Sequence, residues 1–203
     1  QPAEQYLYRR PKQLSGGEKQ RVSIARALVL EPEVLLADEP VSMLDVSTQA
    51  SILRLLSQLM DETGVSMVYI SHDLSTVSYV CDTINVMYLG RFVEQAPTEA
   101  LISDPQHPYS QALMQAIPIP SPHGDRERTE MEGAPRDPIG LGEGCRFRDR
   151  CPDRMDVCEE TPYFVDVSEQ TGVDGHRAAC HLYYEHETAE AAELVDGKPV
   201  DRS

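Results

Sequence analysis

The sequence predicts an α/β chain: helices laid over a parallel sheet, followed by an extension rich in proline and cysteine. Three observations carry this. Short apolar runs alternate with helical patterns up to about residue 103. The first run, Val34–Leu35–Leu36–Ala37, is continuously apolar, the signature of a strand buried within a parallel sheet. From residue 104 onward prolines interrupt the chain, and four of its five cysteines lie between residues 144 and 181.

Composition narrows the function classes. The chain has 203 residues, with 34 acidic side chains against 18 basic ones, a formal charge of −16. That excess argues against binding nucleic acid through a basic surface. Hydrophobic residues make up 40% and tryptophan is absent, so the expected core is aliphatic. No apolar run approaches the roughly 20 residues of a membrane helix. The chain opens on Gln1, so we expect that residues precede it, and the lack of a visible leader carries little weight. Lysine occurs only at Lys12, Lys19 and Lys198. An acid-rich, lysine-poor surface is expected in cytosol of very high salt, where repulsion is screened, and we expect salt adaptation.

The elements follow in order. Ser15 caps a helix whose apolar face is Ile24, Ala25, Leu28 and Val29, and which stops before Pro32. The strand Val34 to Ala37 delivers Asp38 and Glu39 to its C-terminal end. Val46 to Met60 has helical apolar spacing, with Asp45 as N-cap and Gly64 just past the end. Val65 to Ile70 is the next strand, and Leu74 to Val80 a short helix. Thr83 to Met87 and Arg91 to Gln95 flank Leu89–Gly90 as a hairpin. Tyr109 to Ile117 is one short helix between prolines, residues 119–143 read as a linker, and Glu185 to Ser203 as an acidic, disordered tail.

Three places hold chemistry. At Ser15–Gly16–Gly17–Glu18 a helix opens on glycines, which let backbone N–H groups approach an anion; alone, such a start is also a common structural cap. Asp38 and Glu39 sit where ligands gather in open parallel sheets. Asp38 suits Mg²⁺ held through water, and Glu39 suits positioning and deprotonating a water; alternatively the pair caps the turn at Pro40. His72 ends a strand, where it either touches a phosphate or caps the following helix.

The run LSGGEKQRVSIARAL, then VLLADEP, then SMLD, then His72 resembles the ATPase subunits of ABC transporters, with four motifs in the family's order over about residues 7–100. The resemblance implies that the chain is the C-terminal portion of a P-loop NTPase sheet. It implies that Ser15, Gly16, Gly17 and Glu18 form the signature loop, which contacts ATP held by the opposite subunit. Asp38 and Glu39 match the Walker B pair, Ser42 to Asp45 the D-loop, and His72 the switch histidine. The family usually has Gln at the position of Glu18; a carboxylate near triphosphate adds repulsion, so Glu18 is expected to point aside. No G-x-x-x-x-G-K-[ST] occurs, and the glutamine loop upstream of the signature is also missing. The chain by itself is therefore expected to bind ATP weakly or not at all and to turn none over.

A second match lies beyond the core. Asp104–Pro105–Gln106–His107–Pro108–Tyr109, with Leu113 and Ile117–Pro118, resembles the C-terminal extension of oligopeptide and dipeptide importer ATPases. His107 and Tyr109 are read as structural, with Pro108 fixing entry to the helix. Nickel and oligosaccharide importers share this extension and stay open as alternatives. The expected division is a partial nucleotide-binding domain at 1–103, the extension at 104–184 and the tail at 185–203.

Cys145, Cys151, Cys158 and Cys180 are spaced C-x₅-C-x₆-C-x₂₁-C, while Cys81 stands apart and reads as buried. Cytosolic thiols disfavour disulfides; four clustered thiolates suit zinc, an iron–sulfur cluster, or no metal at all. Arg146, Arg148, Arg150 and Arg154 interleave with them and are expected to lower the thiol pKa values. His176 and His181 flank Cys180 as substitute ligands. The segment Cys145 to Pro152 resembles the cysteine motif of the same importer extension, and that resemblance implies a [4Fe–4S] cluster acting as a structural clamp.

The resemblance as a whole implies an ATP- and Mg²⁺-dependent subunit on the cytoplasmic side of the cell membrane. Its partners would be a second ATPase subunit, a permease and, indirectly, an extracellular solute-binding protein, with no nucleic acid. The rivals are a non-transport ABC ATPase of DNA repair or translation, and a binding module with inert motifs.

Overall fold

The structure is a computed structural model that describes residues 3–116 and 139–184. The chain forms two compact units, residues 1–81 and 82–203.

In the first unit, α1 (Gly16–Leu28) begins at Ser15, β1 spans Val34–Asp38, α2 spans Val46–Thr63, β2 spans Ser66–Ile70 and α3 spans Leu74–Val80. β1 and β2 pair in parallel, Leu36 opposite Val68 and Asp38 opposite Ile70. Asp45 caps α2 by accepting the Thr48 N–H at 3.0 Å, and Gly64 ends it in the left-handed region, φ 70°. The α2 residues Ile52, Leu53 and Leu56 pack with Ile24 of α1 and Val41, with Leu35, Met67 and Tyr69 from the strands against them. This core is aliphatic, as the composition predicts, whereas the second unit departs from that expectation by packing the rings of Tyr88, Tyr109 and Phe147 together.

The sheet departs from expectation in one respect. It has two strands, and its apolar run is not buried on both faces. Leu36 is 65% and Val68 51% exposed, with Val34 and Ile70 exposed beside them. Period-2 alternation puts those four on the face opposite the α2 core, and among the described residues nothing covers that face.

The second unit is an antiparallel sheet in the order β3-β4-β6-β5. Its strands are β3 (Thr83–Tyr88), β4 (Arg91–Pro97), β5 (Val165–Asp166) and β6 (Arg177–Ala178). The β3–β4 hairpin turns at Leu89 and Gly90, both at positive φ (47° and 78°), the primed geometry that matches strand twist. Helices α4 (Thr98–Ser103), α5 (Pro108–Gln115) and α6 (Ser168–Thr171) follow. Pro108 occupies the first turn of α5, and His107 caps it by accepting the Tyr109 N–H at 3.0 Å. α4, β5, β6 and α6 have no counterpart in the sequence reading: each is too short to show a period. The expected tail lies outside the described residues, as does the expected linker apart from 139–143.

Candidate functional site

Ser15 and Glu18 build the tip of α1 reciprocally. The Ser15 Oγ accepts the Glu18 N–H at 3.3 Å, and Glu18 Oε2 accepts the Ser15 N–H at 2.7 Å, a capping box. Glu18 Oε1 also accepts from the Tyr6 hydroxyl at 3.1 Å and faces the Arg9 guanidinium at 3.4 Å. The Ser15 N–H above all, with help from the Ser15 hydroxyl, Tyr6 and Arg9, holds this carboxyl below its ordinary range. The carboxylate is thus turned back onto its own helix start. Tyr6 and Arg9 are functional neighbours that sequence reasoning missed, since no periodicity marks them.

The glycines permit close packing beneath the tip. A Cβ on Gly17 would come within 2.5 Å of Thr48 Cγ2, and one on Gly16 within 3.0 Å of Leu44 Cδ2. Thr48 is itself fixed, because its hydroxyl donates to Asp45 Oδ2 at 2.7 Å. Asp45 accepts from Ser47 and Thr48 and lies well below the ordinary carboxylate range, the Ser47 hydroxyl being the largest cause.

Asp38 ends β1 as an exposed carboxylate, and among the described residues its side chain has no hydrogen-bond partner. Glu39 follows with φ 46°, the left-handed region that costs a non-glycine residue energy. Its N–H donates to the Ile70 carbonyl at 2.9 Å, extending the ladder one residue past β1. That twist carries its carboxylate to the end of β2, where Oε1 lies 2.6 Å from His72 Nδ1 and 3.3 Å from the His72 N–H. The Glu39 hydrogen bond raises the His72 pKa. The structure therefore brings Glu39 and His72 together directly. Gly16, Gly17 and the segment ending in Asp45 meet through Leu44 and Thr48. Among the described residues no hydrogen bond joins the Ser15–Glu18 tip to Glu39 or His72.

In the second unit, the Cys145, Cys151 and Cys180 thiols each feel the charge of neighbouring cysteines, Cys158 among them, yet among the described residues no group of three or more His, Cys, Asp or Glu is placed to hold a metal ion, against the expected cluster. Backbone N–H groups just downstream pull three of the thiols down slightly, Phe147 and Arg148 acting on Cys145, Asp153 on Cys151 and Leu182 on Cys180. The thiol pKa values run against expectation. Burial pushes Cys145 up, Cys151 to about 11 and Cys180 to about 12. Arg148 lowers Cys145 only as a minor effect. The arginines fail to win because two carboxylates balance Arg148 and Arg154: Glu159 lies 3.4 and 2.7 Å from them, and Asp149 lies 3.5 Å from Arg154. The two histidines differ: both ring nitrogens of His181 are engaged, while His176 keeps Nδ1 unpartnered. His176 Nε2 donates to Glu94 Oε1 at 2.7 Å, and His181 donates to the Glu160 carbonyl while accepting from Tyr184. Cys81 is half-buried at the end of α3.

No helix among the described residues is long and apolar enough to cross a membrane.

The first unit, with its capped glycine tip, acidic strand end and adjacent histidine, is that of an ATP-binding cassette. Residues 2–42 match the family described as ABC transporter, and residues 93–158 that described as Oligopeptide/dipeptide transporter, C-terminal region. The chain belongs to the ATP-binding subunits of the oligopeptide/dipeptide type of ABC transporter. It is 45% identical over 176 residues to the dipeptide transport ATP-binding protein DppF of Haemophilus influenzae, covering 87% of this chain and 53% of that one. It is 46% identical to a probable peptide ABC transporter ATP-binding protein of Sinorhizobium fredii, covering 86% of this chain and 48% of that one. The chain spans about half the length of the curated relatives it matches. A solved dimeric ATP-binding cassette bound to ADP and Pi is 36% identical, with a TM-score of 0.42 over 47% of this chain and 40% of that one.

Proposed function

We propose that this chain is the C-terminal part of an ATPase subunit that powers peptide import through an ABC permease, working as one of two such subunits on the cytoplasmic side of the membrane. The observation that carries this is the Glu39–His72 contact at the ends of two parallel strands. Glu39 polarises the attacking water and His72 responds to the terminal phosphate. Asp38, exposed at the end of β1, would hold Mg²⁺ through water. Gly16 and Gly17 offer N–H groups, and Ser15 its hydroxyl proton, to a nucleotide held by the partner subunit, and Asp45 fixes the D-loop beside them. Residues 1–103 then act as the partial nucleotide-binding domain and 104–184 as the importer extension. The names of the relatives favour peptides over nickel or oligosaccharides as cargo.

The test is Glu39→Gln in the full-length subunit with its permease. Loss of ATP turnover with ATP binding retained supports the assignment, and unchanged turnover overturns it. The formal charge of −16 extends the proposal to a salt-rich cytosol. Activity that peaks in dilute buffer and fails in molar salt would remove that part.

The four cysteines are proposed to hold a [4Fe–4S] cluster that clamps the extension. The charge that Cys145, Cys151 and Cys180 feel from one another and from Cys158, and the backbone N–H groups that favour three of the thiolates, support this reading. A single zinc ion would require sulfurs about 3.8 Å apart, given bonds of about 2.3 Å in a tetrahedron. Among the described residues no group of three or more His, Cys, Asp or Glu is placed to hold a metal ion, so loading requires the four thiols to draw together. Anaerobic purification decides: visible absorption that bleaches on reduction supports the cluster, while a colourless protein with stoichiometric zinc replaces it.

A further inference from the structure

We propose that the second unit binds a small free oxyanion of the carboxylate or bicarbonate class, in a cavity beside the β3–β4 hairpin that is lined by Arg91, Arg146, His107 and Thr161. The cavity measures about 30 Å³. That is room for two or three water-sized bodies at roughly 10–15 Å³ each, the bulk of an ion of a few heavy atoms.

The polar side chains around it offer donors without a carboxylate among them, in a chain with 34 acidic residues. His107 is only 1% exposed. Its Nδ1 accepts the Tyr109 N–H at 3.0 Å, so the ring proton sits on Nε2, and that donor has no partner among the described residues. Arg146 donates through Nη1 to the Leu89 carbonyl, yet its Nε is buried and unpartnered. Arg91 Nη1 donates to the Thr161 hydroxyl at 3.2 Å, which also accepts the Gly144 N–H at 3.2 Å. Among the described residues neither guanidinium has a carboxylate within ion-pair distance, and Arg146 feels the like charge of Arg91.

Two adjacent guanidinium groups, walled by Pro162 and Phe164 and by the Cys145 thiol, whose burial favours its neutral form, give the site a net positive charge. An oxyanion accepts from several donors at once, whereas water supplies no charge. The inference does not depend on the ATPase assignment, because every residue in it lies in the second unit.

The experiment is a ¹⁵N titration of the His107 ring in the whole chain. Sodium acetate and sodium bicarbonate are added separately, with total ionic strength held by sodium chloride. A saturable shift of the Nε2–H resonance is expected with either probe, and its midpoint should rise at least tenfold in Arg91→Gln. If Arg91→Gln does not fold, Arg91→Lys keeps the charge but loses the fork, and a midpoint at least threefold higher is expected. A linear response in the wild-type chain, or the same response to chloride alone, overturns the proposal. So does an unchanged midpoint in the folded variant.

Discussion

Glu39 and His72, 33 positions apart in sequence, meet at 2.6 Å because parallel pairing of β1 with β2 sets Asp38 opposite Ile70 and a left-handed residue turns the next carboxylate across the strand ends. The contact makes the imidazolium easier to form, so the His72 pKa stands above its ordinary 6.5. The stabilisation is thus fully present below pH 6.5 and lost as pH rises through the raised value. It is small, because His72 is 81% exposed. In Glu39→Gln the charge partner is gone, and an NMR titration of the His72 ring should show its pKa falling towards the ordinary value. In the full-length subunit the same change should cost about 10²–10⁴ in turnover, the usual range for losing a general base.

Gly17 is set by packing. Its φ is not in the left-handed region, yet a Cβ would lie 2.5 Å from Thr48 Cγ2, and Thr48 is pinned by Asp45. Gly17→Ala should therefore destabilise the first unit by about 1–3 kcal/mol, the range for overpacking. Gly17→Ala combined with Thr48→Ser should recover most of the loss, since Ser keeps the hydroxyl and removes the methyl. Urea unfolding followed by circular dichroism reads both, through the midpoint at constant slope.

What the sequence made legible and what it hid differ by the range of the interaction. Ser15, Asp45 and Gly64 announce helix ends through contacts within a few residues, and the structure puts each in that role. The run VLLADEP announces a strand that carries acids at its end. The reading that failed was burial on both faces, because an apolar run reports what a strand can cover, not what covers it. The thiol pKa values were misjudged for a related reason. Arg148 and Arg154 are close to the cysteines in sequence, but Glu159 and Asp149 balance their charge, pairings that appear only in the fold. Glu94 was missed altogether: a single acid in a strand gives no local sign that it will be fully buried.

Metal loading of the cysteines should be steeply dependent on pH. Thiols pushed to about 11 at Cys151 and about 12 at Cys180 are protonated at neutral pH, and every ligand must lose its proton to bind. Reconstitution with iron and sulfide under anaerobic conditions should therefore strengthen from pH 6 to pH 8, with proton release measurable in weak buffer. Before loading, iodoacetamide should modify Cys151 and Cys180 slowly at pH 7.5 and faster as pH rises past 9. Cys180→Ser should abolish the visible chromophore.

Glu94 is the hub of the second unit. It is 0% exposed, and its two oxygens accept the N–H groups of Gln106 at 2.7 Å and His107 at 2.9 Å, together with His176 Nε2 at 2.7 Å. One carboxylate in β4 thereby ties the start of α5 and the residue before β6 to the hairpin. Glu94→Ala strands two buried N–H groups and a buried imidazole whose other nitrogen is already unpartnered. The expected loss is about 3 kcal/mol or more, at about 1–3 kcal/mol for each of the three donors left unpaired. Glu94→Gln keeps one acceptor oxygen and should lose about 1–3 kcal/mol. Because His176 lies four residues before Cys180, the larger loss should also free that cysteine. The ordering Glu94→Ala below Glu94→Gln below wild type, in both urea midpoint and resistance of Cys180 to iodoacetamide, is the expected result. Equal stability of the two variants would mean that the carboxylate is not what holds these segments together.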